Sequence, residues 1–322
     1  MLTSIAQNVI LPALSSFENE AKTLEESLKK FQTKPTEEQF KDVRQQWKKT
    51  DLSWRKCELY NLGSFKASYT RNRIDTAPTK EKYIERFINE AKKVDRNFVM
   101  SKGSNIVGLP ALEYMLFAGK KTREVLTGKR LDYLVALSEA LAENATQARK
   151  LWGENEDTFK VMTNSQGTDL SSGISMLFNE MIALTEKILM TKLGKPLGKQ
   201  SGEGAKVEML VAFRSLHSLE EIKANIASLQ DCYNGGDGSG FDDYLQFLKN
   251  DEAKKLSDKF TAQFKVIKQS LENIQSLEDS LVNDKKAVEK LYADIKNLLI
   301  LLKVDAANQL ALTVTFNDND GD

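Results

Sequence analysis

"FTAQFKVIKQSLENIQSLEDSLVNDKKAVEKLYADIKNLLILL", residues 260 to 302, places apolar side chains at Phe260, Phe264, Ile267, Leu271 and Ile274. They return at Leu281, Val288, Tyr292, Ile295, Leu299 and Leu302. Steps of three and four residues put such side chains on one stripe of a helix, the pattern of helices packed in a bundle. Glu278 and Lys285 interrupt the stripe, with Asn283 and Asp284 between them. A compact domain rarely runs one helix through so many residues, so the stretch predicts two antiparallel helices joined by a turn near that point.

The same spacing recurs through most of the chain, which has only five prolines in 322 residues. Thr36 with Gln39, just after Pro35, fits a capping box opening a helix that carries Phe40, Val43, Trp47 and Trp54. Ser218 with Glu221 fits another, opening a helix through Ile222 and Ile226 to Cys232. Gly-rich breaks separate the helices at "TNSQGTDLSSG" (163 to 173), "KLGKPLGKQSGEG" (192 to 204) and "NGGDGSG" (234 to 240). The length suits two domains. The expectation is therefore an all-α chain of two helical-bundle domains with a cleft between them, residues 1–162 and 163–322.

Lys plus Arg and Asp plus Glu both number 46, so no net charge steers the molecule toward nucleic acid, and no nucleic-acid partner is expected. The Lys- and Glu-rich stretches at 18 to 34 and 251 to 290 read as solvated helix faces. No run reaches the 18 or so apolar residues of a membrane span. Cys57 and Cys232 are the two cysteines and make no CxxC pair. His217 is the single histidine, so neither HExxH nor a multi-histidine zinc site exists, and its place before Ser218 suggests a surface or staple position. "GGDGSGFDD" and the terminal "FNDNDGD" are incomplete calcium loops and read as solvated ends, with a weak cation site as the alternative.

"NIVGLPALEYMLFAG", residues 105 to 119, is an apolar run with one charge, Glu113. Gly108 and Pro110 suit a helix start and Gly119 its end. Leu109, Leu112, Leu116 and Phe117 then share the face of Glu113. A carboxylate there needs a cation, a metal or several donors. The alternative is that Glu113 complements the positive end of its own helix. Trp47, Trp54, Tyr60, Phe65 and Tyr69 gather near "RNRID", residues 71 to 75, where Arg73 and Asp75 should occupy an extended loop before Pro78.

These pieces together resemble the imelysin-like family. "GLPALEYMLF" is similar to its signature region, in which Gly-x-His-x-x-Glu leads into an apolar helix. "QWKKTDLSWRKCE" resembles its tryptophan-rich helix, "RIDTAP" its Arg-Ile-Asp loop and "KLGKPLG" its Leu-Gly-x-Pro turn. "RSLHSLEEIKANI" resembles its Arg-Ser-x-x-Ser-Leu segment and "VTFNDNDGD" its C-terminal ending. The resemblance implies a two-domain helical protein of the bacterial periplasm or cell surface, held there as a lipoprotein by an anchor upstream of residue 1. Relatives are associated with iron uptake, and some are named as metallopeptidases. Carried over by position, the ligand-binding residues are Gly108, Glu113, Arg73, Asp75, Arg214, Ser215 and Ser218, in a cleft between the domains. Glu113 is the candidate metal ligand, for iron or another divalent cation.

Two positions depart from the family pattern. Pro110 stands at the motif histidine and Ala77 where the loop often has tryptophan. Proline cannot ligate a metal, so no catalytic residue is assigned. The expectation is a non-enzymatic envelope protein that binds a small ligand or metal ion and works with other envelope uptake proteins. A metallopeptidase is the alternative, and a helical scaffold without a ligand the third reading.

Overall fold

The computed structural model describes residues 1–119 and 122–315. Among them every regular element is helical, as the apolar spacing predicts. None of these helices is long and apolar enough to cross a membrane. The terminal "FNDNDGD", residues 316 to 322, lies outside the described residues.

The chain divides into two compact units, each discontinuous in sequence. One comprises Met1–Pro12, Arg55–Ser64 and Gly153–Asp322; the other comprises Ala13–Trp54 and Phe65–Trp152.

In the first unit, helix Asp251–Glu272 runs antiparallel to helix Lys285–Ile300. Gln263 Nε2 donates to the Asp294 carbonyl oxygen (2.6 Å), and Ser270 Oγ to the Asp294 carboxylate (2.5 Å). The turn expected near Asn283 and Asp284 is present, with Asp284 capping the second helix through the Ala287 N–H. A further break was not foreseen. The first helix stops at Glu272, and Ser276 caps a short helix Leu277–Asn283, its Oγ accepting from the Asp279 N–H at 3.2 Å.

The buried stripe of the second helix also differs by one step. Leu291 and Leu298, not Tyr292 and Leu299, join Val288, Ile295 and Leu302 in the core. Both choices keep a three-four rhythm, and only packing separates them. Tyr292 instead lies to the side, its ring 4.9 Å from Lys199 Nζ. Helix Ser218–Asn234 packs against the pair through Tyr233, whose ring stacks on Phe260 at 4.7 Å, and it ends at Gly235 in the left-handed conformation.

Both cysteines belong to this unit, and neither forms a disulfide. Burial pushes both thiols far above their ordinary range, so they lack the thiolate character that reagents need. Neither should react with a water-soluble disulfide reagent in the native protein, whereas both should titrate after denaturation. Prompt native reaction of either would contradict the burial.

In the second unit, Thr36 caps helix Glu37–Cys57, its Oγ1 accepting from the Gln39 N–H at 3.2 Å; this is one half of the expected capping box, and the Thr36 N–H donates to the Lys34 carbonyl oxygen (2.9 Å) rather than to Gln39. That helix packs along Leu11–Thr33: Phe17 meets Trp54 at 5.1 Å and Phe31 meets Phe40 at 5.7 Å between ring centroids. Thr50 Oγ1 donates to the Glu20 carbonyl oxygen at 3.0 Å. Each fully buried large apolar side chain of this kind contributes about 1.5 to 3 kcal/mol. The outward face carries the expected solvated pairs, Lys22–Glu18 and Lys29–Glu25, each at 2.6 Å.

Candidate functional site

The signature helix spans Gly108–Phe117, with Leu109, Leu112, Met115 and Leu116 all buried. Val107 enters in extended conformation and Gly108 turns the chain at φ +75°. A Cβ at Gly108 would stand 2.3 Å from the Ile74 carbonyl oxygen and 2.5 Å from that of Arg73. Glycine is thus needed twice, for its backbone angle and for the close approach of the Arg-Ile-Asp segment. At the far end Arg44 Nε donates to the Leu116 carbonyl oxygen (2.8 Å), satisfying a group the helix itself leaves open.

Two tryptophans one heptad apart hold the two parts of this region. Trp47 Nε1 donates to the Leu109 carbonyl oxygen and Trp54 Nε1 to Asp75 Oδ2, both at 3.2 Å. Tyr133 Oη donates to the Ile106 carbonyl oxygen at 2.9 Å, fixing the approach to the helix.

Glu113 is 2 % exposed, and it is not an isolated charge. No acidic residue occupies the first turn of the helix, and Glu113 lies beyond it. The pull of the helix dipole fades within that turn. Complementing the helix start therefore does not account for this carboxylate.

Arg73 lies within a one-turn helix, Thr70–Ile74, and Asp75 follows at its C-cap, where an extended loop was expected. The Arg73 guanidinium is directed at the segment after Asp95: Nη1 donates to the Lys102 carbonyl oxygen (3.1 Å), Nη2 approaches Met100 Sδ (3.5 Å), and Glu143 supports its charge. Gly108, Arg73 and Asp75 are brought together through backbone packing, with Asp75 tied to Trp54.

Next to Glu113, Tyr114 Oη donates to Glu85 Oε1 (2.6 Å), and Arg130 Nη1 donates to both Glu85 oxygens (2.9 and 2.7 Å). Burial alone would raise the Glu85 carboxyl, but the bonds from Arg130 and Tyr114 outweigh it and hold the group below its usual range. Burial and the bond to Glu85 push the Tyr114 phenol up to about 12. A carboxyl depressed in the folded state stabilises above its unfolded value, about 4.3, and loses that contribution as pH falls through the folded value. The advantage of the wild type over Glu85→Gln in urea midpoint should be full at pH 6 and shrink below about pH 4. A difference independent of pH would refute this role.

In the other unit, Arg214, Ser215 and Ser218 form a tight turn around Ala212. Ser215 Oγ donates to the Ala212 carbonyl oxygen (3.1 Å), the His217 N–H donates to the same oxygen (3.2 Å), and Ser218 Oγ accepts from the Ala212 N–H (3.2 Å). The turn forces Leu216 to φ +52° with 63 % exposure. The Arg214 guanidinium lies 4.3 Å from the Phe213 ring. Of the surface and staple positions expected for His217, burial at 5 % exposure removes the first. The expected Ser218–Glu221 capping box does not form. His217 takes the cap position, Ser218 serves Ala212, and Glu221 turns inward to Lys192 and Arg55.

That inward turn belongs to a buried charge network which sequence reasoning missed. Arg55 reaches Glu58 (3.3 Å) and Glu221 (3.4 Å). Lys192 donates to Glu221 (3.0 Å) and Asn225 Oδ1 (2.7 Å) and lies 3.5 Å from Glu58, which also takes Lys187. Asn225 Nδ2 donates to the Arg55 carbonyl oxygen (2.8 Å) and to Glu58 (3.0 Å). The available signal was Lys187 and Lys192 inside the apolar run "MIALTEKILMTKLG".

Among the described residues, no group of three or more His, Cys, Asp or Glu side chains is placed to hold a metal ion. With Pro110 at the motif histidine, these residues do not fit a resident catalytic metal.

The Imelysin family model (Peptidase M75) matches residues 10–303. The chain belongs to the imelysin family. An imelysin-like protein from Psychrobacter arcticum 273-4 has a similar solved structure, with TM-score 0.82 at 20 % identity, covering 98 % of this chain and 96 % of that one. A putative iron-regulated protein A precursor from Parabacteroides distasonis ATCC 8503 is similar at TM-score 0.78 and 15 % identity, covering 95 % and 93 %. At these identities the likeness establishes the imelysin fold. No curated protein sequence matches the chain. Pro110 and Ala77 remain the departures of this imelysin from the motif pattern.

Proposed function

We propose that this imelysin-family chain is a non-enzymatic binding protein of the bacterial envelope, serving the uptake of iron or another nutrient. The observation that carries the reading is Glu113, a carboxylate at 2 % exposure on the signature helix. Family membership supports the envelope role, and the iron-regulated Parabacteroides protein supports the link to iron. In this reading Glu113 is the buried acceptor or metal ligand, with Gly108, Arg73 and Asp75 as its surroundings. Arg214, Ser215 and Ser218 contribute an anion-recognising segment. Arginine suits that task because its planar fork satisfies an oxyanion through two bonds.

Metalloproteolysis is not proposed, because the donor set lacks the histidine it would need. The test is elemental analysis after equilibration with ferrous, ferric, zinc and calcium ions, comparing wild type with Glu113→Gln. Stoichiometric metal lost in the variant supports direct metal capture at Glu113. No metal in either protein overturns metal capture and leaves Glu113 to a non-metal ligand.

A further inference from the structure

The buried network contains a geometric oddity. Lys187 and Lys192 are five residues apart, yet they engage the two oxygens of one carboxylate, Lys187 at Glu58 Oε1 and Lys192 at Glu58 Oε2. In an α-helix, residues five apart point about 140° away from each other. These two share a side because Lys187–Gly194 is wound as a π-helix, in which each turn closes five residues back. The five-residue bonding continues beyond it: the Lys195 N–H donates to the Met190 carbonyl oxygen and the Lys199 N–H to that of Gly194, both at 2.9 Å.

π-turns are rare in proteins, although Ala6–Ile10 and Leu301–Ala306 of this chain are wound the same way, and each such segment needs a local cause. Gly194 permits this one, since a Cβ there would stand 2.9 Å from the Leu189 carbonyl oxygen. Permission is not a driving force. The Glu58 side chain is fully buried, and so nearly are Arg55, Lys192 and Glu221. A carboxylate in that setting gains most when both oxygens meet cations.

We infer that Glu58 is a register latch, holding residues 187–194 in the π winding by engaging Lys187 and Lys192 at once. Releasing Lys187 would let the segment rewind to α spacing and return one residue of slack to the chain beyond it. The loop at 195 to 206 can absorb that slack, with Gly198 and Gly202 already in the left-handed region. The latch therefore sets where the chain that carries Arg214 and Ser215 begins.

Crystal structures of the full chain, wild type beside Lys187→Met and Lys187→Arg, test the latch. Lys187 is 31 % exposed, and its loss leaves Arg55 and Lys192 opposite Glu58 and Glu221. The methionine variant should therefore fold. Expected is loss of the Lys195-to-Met190 bond, replaced by a bond to the Thr191 carbonyl oxygen, while Lys187→Arg keeps the five-residue bond. Lys187→Gln, with a polar end at the same position, gives the same test in a second background. Retention of the π winding in Lys187→Met or Lys187→Gln overturns the latch and assigns the winding to Gly194 and packing alone.

Discussion

Glu58→Gln should lower the free energy of unfolding by about 3 to 5 kcal/mol, the cost of removing one partner from a buried charge set. The glutamine keeps the shape and an oxygen for Asn225 but removes the charge that Arg55, Lys187 and Lys192 share. Water cannot replace it, because the Glu58 side chain is fully buried and those of Arg55 and Lys192 are 2 % exposed. The measurement is a urea titration, with the midpoint falling at unchanged slope. Glu25→Gln, which removes a surface partner of Lys29, should cost less than about 0.5 kcal/mol. Similar losses in both variants would mean that the network is not sealed from solvent.

Gly108→Ala should cost roughly 2 to 5 kcal/mol, combining left-handed strain with overlap against fixed backbone. The oxygens at 2.3 and 2.5 Å are carbonyls of Ile74 and Arg73, so no side chain can swing away to make room. Gly128 supplies the control: its φ is +51°, yet a Cβ there would meet nothing within 4 Å. Gly128→Ala should cost only the strain, about 1 to 2 kcal/mol. The gap between the two midpoints measures the close approach between the signature helix and the Arg-Ile-Asp segment. Equal losses would show that the segment yields easily and is not pinned to the helix.

The sequence revealed the helices well, and it found Glu113 for a simple physical reason. One charge in an apolar run of α-helical spacing must point inward, and it does. Lys187 and Lys192 meet the same description but escaped it. Five-residue spacing reads as two different faces of an α-helix, and nothing local announces a π-turn. Leu291 and Leu298 were passed over for Tyr292 and Leu299 because all four are apolar and only the facing helix decides among them. His217 stayed open between surface and staple because a lone histidine beside a cap gives no sign of how deep its turn will sit. Side chains that answer to distant partners, such as Arg73 with Lys102 and Glu221 with Arg55, lie beyond what spacing alone can resolve.

The interrupted course of the chain carries a consequence for its synthesis. Arg55 and Glu58 emerge from the ribosome early, but their other partners do not. Lys187 is made 129 residues after Glu58, and Asn225 170 residues after Arg55. The unit formed by Ala13–Trp54 and Phe65–Trp152 is complete by residue 152, whereas the other unit has by then only Met1–Pro12 and Arg55–Ser64. Domains generally fold as units during translation, and long-range closures come late. Arg55 and Glu58 can pair with each other at once, but the network around them closes only after Lys187, Lys192, Glu221 and Asn225 have been made.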